Sequence, residues 1–244
     1  MNYSKQDIID KVRASANDNQ GIRKIYQEDF VNYRGKTTDT KEYYTEVVAE
    51  ELLRNNILGS MGSITEIVRE SGYKVDSHDG VSYTVNSNRK EEIFCKDLFS
   101  LSNNGQKHFD EVGVILDYQL PLKNKRSNTG IGKIDLISKT NQEIWLLELK
   151  VKDNTETVLR CVLEIATYYQ LLSKVKFLES YPEFALNSIS DIRKGILVVK
   201  DSSQEAELEE MKCGLSKRDN LSKIMEIIKV EAFTIDINNV VVRK

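Results

Sequence analysis

The feature that most constrains the fold is the stretch KIDLISKTNQEIWLLELK, residues 133–150, in which two apolar, β-rich segments flank the polar residues KTNQ. This pattern is typical of an antiparallel hairpin. If Asn141 and Gln142 form a two-residue turn, Thr140 pairs with Glu143, and counting outward places Asp135 opposite Glu148. A turn of odd length would put the two acids on opposite faces of the hairpin.

The same hairpin carries an ammonium group close to these acids. Because side chains alternate along a strand, Glu148 and Lys150 share one face with Leu146, and the other face is apolar. Two like charges at cross-strand distance destabilise a sheet unless a cation lies between them. One explanation is a salt bridge between either acid and Lys150 or Lys133.

The other explanation is a metal site built from oxygen ligands. Mg²⁺ and Mn²⁺ suit such sites, because both prefer carboxylate and carbonyl oxygens and commonly take only one or two protein carboxylates. Asp135 and Glu148 would bind the ion, and the backbone carbonyl of Leu149 would add a ligand. Lys150 would then help to position an attacking water or stabilise negative charge that develops on a phosphate.

From residue 88 onward the hydrophobic pattern predicts a mixed α/β order. The predicted elements are a helix at 88–102, strands at 111–122, 132–138 and 143–151, a helix at 155–172 and a buried strand at 194–201. Two polar helices, near 203–213 and 216–229, and a strand at 231–237 follow. The first part of the chain predicts helices within 42–55 and 63–72 and a hairpin at 73–86. We therefore predict a mainly helical region at 1–87, either a winged-helix-like module or a cap, and a second domain at 88–244.

The motif GKIDLIS…WLLELK resembles the signature of the PD-(D/E)xK phosphodiesterase superfamily. Asp135 matches the first acid of the signature, Glu148 and Lys150 match its ExK pair, and Ile134 replaces the usual proline. The resemblance covers about residues 88–201 and leaves out the first 86 residues and the last 40. It implies an α/β fold with a restriction-endonuclease-like core, namely a helix, three antiparallel strands, a helix and a further strand of a mixed central sheet.

The resemblance also implies a function. The expected protein is a Mg²⁺- or Mn²⁺-dependent nuclease that hydrolyses phosphodiester bonds of DNA, in bacterial restriction, repair or defence against mobile elements. RNA stays open as a substrate, and a homodimer is compatible with the family, many of whose members cut both strands as dimers. Many members direct one more helix acid at the metal. Glu91 is the candidate here, because it lies on the apolar face of its predicted helix and Glu92 does not. The alternative is an acid stabilised by the helix N-terminus.

Two further groups of residues are candidates for substrate binding. Arg160, Glu164 and Tyr168 recur every four residues, and the RecB-like branch of the superfamily has Gln-xxx-Tyr at the spacing of the last two. This stripe would orient Lys150 or a phosphate, although an ordinary Arg160–Glu164 surface pair explains it equally well. The loop PLKNKRSNTGIGK offers phosphate-binding side chains at Lys123, Lys125, Arg126 and Lys133.

Composition narrows the remaining choices. The chain has 244 residues, a net charge of -3 and only two histidines, which argues against a histidine-rich metal site and against a Ser-His-Asp triad. Neither a signal peptide nor an apolar run long enough for a membrane span is evident, so we expect a cytoplasmic protein without membrane contact. Two alternatives to a nuclease stay open. One is a non-catalytic member of the same fold that binds nucleic acid or a partner protein, and the other is an unrelated α/β protein in which ExK is only a salt bridge.

Overall fold

A six-stranded mixed sheet forms the centre of the computed structural model, which describes residues 2–16, 21–54, 56–78, 89–123, 131–212 and 217–244. The strands are β1 (Val114–Pro121), β2 (Lys133–Lys139), β3 (Ile144–Lys150), β4 (Ile192–Val199), β5 (Val230–Ile235) and β6 (Val241–Arg243). They are neighbours in chain order. The pairs β1–β2, β2–β3 and β5–β6 are antiparallel, whereas β3, β4 and β5 run parallel to one another.

Helices cover both faces of the sheet. They are α1 (Lys5–Ala16), α2 (Gly21–Lys24), α3 (Tyr44–Arg54), α4 (Lys90–Asn103), α5 (Val158–Leu171), α6 (Lys174–Glu179), α7 (Ser203–Lys212) and α8 (Asp219–Ile228). Short 3₁₀ turns cover Ile25–Gln27, Asp29–Asn32, Leu58–Ser63, Pro182–Phe184 and Ile189–Asp191. No helix in the described ranges is long and apolar enough to cross a membrane.

The alternation of side chains in β3 divides the hydrophobic core into two layers. Trp145, Leu147 and Leu149 belong to the cluster that contains α4. Ile144 and Leu146 belong to the cluster that contains α5 and the helices of the N-terminal region. Because both faces are covered, every residue of β3 is buried, as expected for a strand inside a partly parallel sheet. Since the N-terminal region shares a cluster with α5, the boundary near residue 87 stays a prediction.

The prediction of a mixed α/β fold is confirmed, and the predicted elements from residue 88 onward correspond to α4 through β5. The predicted helix at 63–72 is wrong. Glu66 pairs with Lys174 on α6 and does not cap a helix, and the hydroxyl of Ser63 donates to the Ser60 carbonyl. The amide of Ile67 donates to the carbonyl of Leu171 at 2.7 Å, so the last turn of α5 holds this segment extended.

The predicted hairpin at 73–86 is not observed in its described part, because residues 73–78 contain no strand. Tyr73 is fully buried there, and its hydroxyl donates to the Ile67 carbonyl. The remainder of the predicted hairpin, 79–86, lies outside the described residues. Among the helices and strands described from residue 88 onward, two, α6 and β6, have no counterpart in the prediction.

Candidate active site

The hairpin of β2 and β3 has the predicted two-residue turn. The Thr140 amide donates to the Glu143 carbonyl at 2.9 Å, and the Glu143 amide donates to the Thr140 hydroxyl at 2.9 Å. The paired register runs from Lys139–Ile144 to Leu136–Leu147. Continuing this register by one residue puts Asp135 opposite Glu148, so both acids lie on the face of the sheet that α5 covers.

Asp135 replaces a backbone acceptor at the point where the β2–β3 ladder ends. Its Oδ2 accepts a hydrogen bond from the Leu149 amide at 2.9 Å, and its Oδ1 accepts one from the side-chain amide of Gln119 on β1 at 2.7 Å. Gln119 has a φ of 48°, in the left-handed region that non-glycine residues rarely adopt. Such conformations are costly and cluster at functional sites. The three strands therefore hold a carboxylate in place at the cost of backbone strain.

Glu148 and Lys150 form a buried pair on the next strand. The Lys150 ammonium lies 2.7 Å from Glu148 Oε1, 2.9 Å from Glu156 Oε2 and 3.8 Å from Glu91 Oε2. The other oxygen of Glu148, Oε2, is buried and has no hydrogen-bond partner within the described part of the chain. Part of the salt-bridge interpretation is thus observed. It leaves one buried carboxylate oxygen without compensation, which is rare in folded proteins.

The helix acid at the site is Glu91. Its Oε1 accepts a hydrogen bond from the Asn154 side chain at 2.7 Å, and its carboxylate lies next to the Lys150 ammonium. Glu92 instead pairs with Arg89 on the exposed side of α4. A cleft of about 450 Å³ opens here and is lined by residues that include Glu91, Gln119, Asp135 and Asn154. Glu91 therefore has the position that the helix phase predicted, and its role at the site stays a prediction.

The carboxyl groups of the cluster carry more potential negative charge than the Lys150 ammonium alone can neutralise. Burial, together with the carboxylates of Glu91 and Glu164, raises the pKa of Asp135 to about 7 against the opposing effect of Lys150. Burial and the neighbouring Asp135 carboxylate raise the pKa of Glu148 well above its usual range. Burial also raises the pKa of Glu91. Raised carboxyl pKa values mean that Lys150 alone does not neutralise the acids around it, so an additional cation would be stabilised here.

Lys150 itself is held in the charged form. Burial alone would lower the pKa of its ammonium, but Glu148 and the other carboxylates outweigh this effect and raise the pKa well above the usual value. The pKa of Glu156 shows the reciprocal effect. Burial alone would raise it, and the Lys150 ammonium and Arg160 guanidinium lower it on balance. The pair of Lys150 and Glu156 is therefore fully ionised at neutral pH.

The polar stripe of α5 borders this cluster. The Tyr168 hydroxyl donates to Glu164 Oε1 at 2.6 Å, which joins the two residues placed at the predicted spacing. Arg160 pairs with Glu156 at 2.7 Å, so the expected Arg160–Glu164 pair is not the one that forms. Gly132 allows β2 to begin beside Tyr168, because a Cβ atom at position 132 would lie 1.9 Å from the Tyr168 hydroxyl.

The basic loop between β1 and β2 is described only at its ends. Lys123 and Lys133 are exposed, and no ion pair joins either lysine to the acid cluster in the described ranges. Lys125 and Arg126 lie outside the described residues. The proposed contacts of these four side chains with phosphate stay predictions.

Three residues at the site were missed by sequence reasoning. Gln119 holds Asp135 from β1, and Asn154 and Glu156 reach the cluster from the loop between β3 and α5. The available signal was the polar segment KDNTET directly after the apolar strand β3, since side chains at the carboxyl end of a parallel strand often line a site. Among the described residues, no group of three or more His, Cys, Asp or Glu side chains is arranged to hold a metal ion.

Comparison with protein-family models, with curated proteins and with solved structures finds no match for this chain.

Proposed function

We propose that this protein is a Mg²⁺-dependent nuclease with a restriction-endonuclease-like core that hydrolyses phosphodiester bonds of DNA. The observation that carries the proposal is that two buried acids, Asp135 and Glu148, are electrostatic neighbours just beyond the last recorded β2–β3 pair, Leu136–Leu147. The order α4, β1, β2, β3, α5, β4 also supports the proposed core. A buried acid pair with one lysine costs stability, and such clusters are typical of functional sites.

The side-chain and backbone groups that would bind a metal at this site are of the chemical type that a hard divalent cation prefers. All are oxygens, and Glu148 Oε2 is a buried oxygen without a partner in the described chain. Asp135 and Glu148 would hold the ion together with the Leu149 carbonyl, and Glu91 would complete the set. Bound Mg²⁺ supplies a water of lowered pKa and neutralises charge on the phosphate.

The residues of the chain have separate roles in the proposed reaction. The water oxygen would form a bond to phosphorus and release a proton, the bond to the sugar oxygen would break, and that oxygen would take up a proton, so that a phosphate monoester and an alcohol result. Lys150, held charged between Glu148 and Glu156, stabilises the negative charge on the phosphate oxygens. Asn154 orients Glu91 by its hydrogen bond, and Gln119 fixes the orientation of the Asp135 carboxylate.

The test is cleavage of supercoiled plasmid, single-stranded DNA and RNA by the purified protein with Mg²⁺, Mn²⁺ or EDTA. Lys150→Ala and Asp135→Ala should abolish cleavage, and the exposed Lys217→Ala serves as a matched control for Lys150→Ala. Cleavage in Mg²⁺ that disappears in EDTA and in both site variants is the expected result. Equal cleavage by the site variants would identify a contaminating nuclease and overturn the proposal.

One observation favours a second candidate, a non-catalytic protein of the same fold that binds nucleic acid. Both oxygens of Asp135 are occupied by Gln119 and the Leu149 amide, and Lys150 is already paired with Glu148 and Glu156. Asp135 and Lys150 therefore have partners within the protein in the absence of an ion. Binding of DNA without cleavage of any of the three substrates would support this candidate over the nuclease.

A further inference from the structure

A second cavity, of about 830 Å³, lies beside the cleft of the candidate active site. Its walls are the carboxyl ends of the three parallel strands, at 151–153 after β3, 199–201 at the end of β4 and 236–239 after β5, and the first turns of α4. Lys90, Val151 and Asp153 line both this cavity and the cleft next to Asp135. We call it the strand-end groove. Ligands of α/β proteins commonly bind outside the carboxyl ends of parallel strands.

The inner wall of the strand-end groove is apolar and includes one aromatic ring. Ile93 and Phe94 of α4 face Val151 and Val199 across the groove, and all four side chains are only partly buried. Ile237, in the turn after β5, is 95% exposed at the rim. A partly exposed phenylalanine and an exposed isoleucine offer a surface on which a flat, apolar ring stacks.

The lining of the groove includes three lysines, Lys90, Lys152 and Lys200, and four aspartates, Asp97, Asp153, Asp201 and Asp236, and Lys90 pairs with Asp153. Lys152 and Lys200 follow β3 and β4, are exposed, and form no ion pair with any described residue. Asp236 is occupied, because its Oδ1 accepts hydrogen bonds from the Asn238 and Val240 amides of its own turn. Asp97 lies on the exposed side of α4 at the rim, and its carboxylate is of the kind that accepts hydrogen bonds from the amino group of a base.

We propose that the strand-end groove binds one unpaired nucleotide of the substrate strand, and this proposal rests on the proposed function. The base lies against Phe94, and Lys152 and Lys200 bind the flanking phosphates. The shared lining residues put this nucleotide next to the phosphate that lies at Asp135. A cavity of this volume is in the range that holds a small ligand. Duplex DNA, whose bases are paired and stacked, does not place a base in it.

Three consequences distinguish this occupant from a purely apolar ligand. Single-stranded DNA should bind more tightly than a duplex of the same sequence. Binding should weaken as salt increases, because the lysines contact phosphates. An oligonucleotide without bases at its central positions should lose affinity, because the base contributes stacking energy.

The experiment measures fluorescence anisotropy of a short labelled oligonucleotide in EDTA, so that no cleavage occurs. Phe94→Leu keeps the apolar bulk of the side chain but removes the ring face, and the double variant Lys152→Ala/Lys200→Ala removes two exposed charges. Each should weaken binding of single-stranded DNA by about ten-fold. Controls are Leu186→Ala, at a fully exposed apolar position away from the groove, and Lys217→Ala. Unfolding monitored by the fluorescence of Trp145, the one tryptophan of the chain, verifies that each variant is folded.

The outcomes separate the two proposals. If plasmid cleavage succeeds but the groove variants bind single-stranded DNA like the controls, the groove proposal fails and the nuclease proposal stands. If cleavage fails but the groove variants lose affinity, the groove is the nucleotide site of a binding protein. Equal affinity of the native protein for duplex and single strand, or no measurable binding of either, overturns the groove proposal.

Discussion

Replacement of Asp135 by asparagine should make the protein more stable at alkaline pH, although it removes a charged group that several hydrogen bonds hold. The amide oxygen of asparagine can still accept from the Leu149 amide. Its NH₂ group can donate to Gln119 once the Gln119 amide rotates, so both hydrogen bonds at this position are kept. The substitution removes the negative charge of the Asp135 carboxylate and, with it, the repulsion of the Glu148 carboxylate.

The size of the effect follows from proton linkage. The pKa of Asp135 in the folded protein is about 7, above its ordinary value of 3.8, so the folded state binds more protons than the unfolded state between these two values. The free energy of unfolding therefore falls as pH rises from about 4 to about 7, by about 4 kcal/mol in total. Between about pH 5 and pH 8 the loss is about 2.5 kcal/mol. Asparagine has no proton to lose, so this contribution is absent from Asp135→Asn.

The assay is urea unfolding monitored by Trp145 fluorescence, since this residue of β3 is fully buried and its ring packs edge to face against Phe233 of β5. Unfolding free energies are measured from about pH 5 to pH 8 for the native protein, Asp135→Asn and Asp110→Asn, an exposed position that controls for the loss of one charge. The difference between Asp135→Asn and the native protein should increase with pH. A difference that is constant over this range would show that Asp135 does not titrate between pH 5 and pH 8 in the folded protein, and would refute the reasoning. Addition of Mg²⁺ should stabilise the native protein and reduce its pH dependence, and it should not affect Asp135→Asn.

Two further predictions concern packing around the site. Gly132→Ala should lower the unfolding free energy by about 1–3 kcal/mol, because the new Cβ atom would overlap the Tyr168 hydroxyl. The loss should be smaller in a Tyr168→Phe background, and a double-mutant cycle that shows no coupling would contradict this packing. Tyr181→Phe should cost about 1–2 kcal/mol, because the buried Tyr181 hydroxyl donates to Asp117 Oδ2 at 2.7 Å. Unchanged urea unfolding of Tyr181→Phe would mean that His78 and the Tyr118 amide satisfy Asp117 without the Tyr181 hydroxyl.

The hairpin was predictable because its geometry is local. A two-residue turn fixes which residues pair, and the alternation of side chains then fixes the face on which Asp135 and Glu148 lie. The position of Glu91 followed in the same way from the 3.6-residue period of α4. These predictions use only residues that are neighbours in sequence. The strong hydrophobic patterns of β2, β3 and α4 determine which face of each element is buried.

The elements that failed depend on partners distant in sequence. The capping pattern at Ser63 and Glu66 is a valid local signal for the start of a helix. In the structure, however, the Glu66 carboxylate pairs with Lys174, and the Ile67 amide donates to the Leu171 carbonyl at the end of α5. Glu156 reaches Lys150 only through the path of the loop before α5, which no periodicity specifies. The strained conformation of Gln119 likewise arises from its contact with Asp135 on the neighbouring strand.

The pairing of Thr140 with Glu143 beside the turn also limits how this sequence can evolve. It lies at the far end of the hairpin from Asp135, yet it decides whether that carboxylate faces Glu148. A codon inserted inside the turn can be absorbed in a longer loop, whereas a single codon gained or lost within β2 or β3 would move one acid to the opposite side of the sheet. Lineages that keep the site should therefore vary in the length of the turn, and should keep the number of residues between Asp135 and Thr140 and between Glu143 and Glu148.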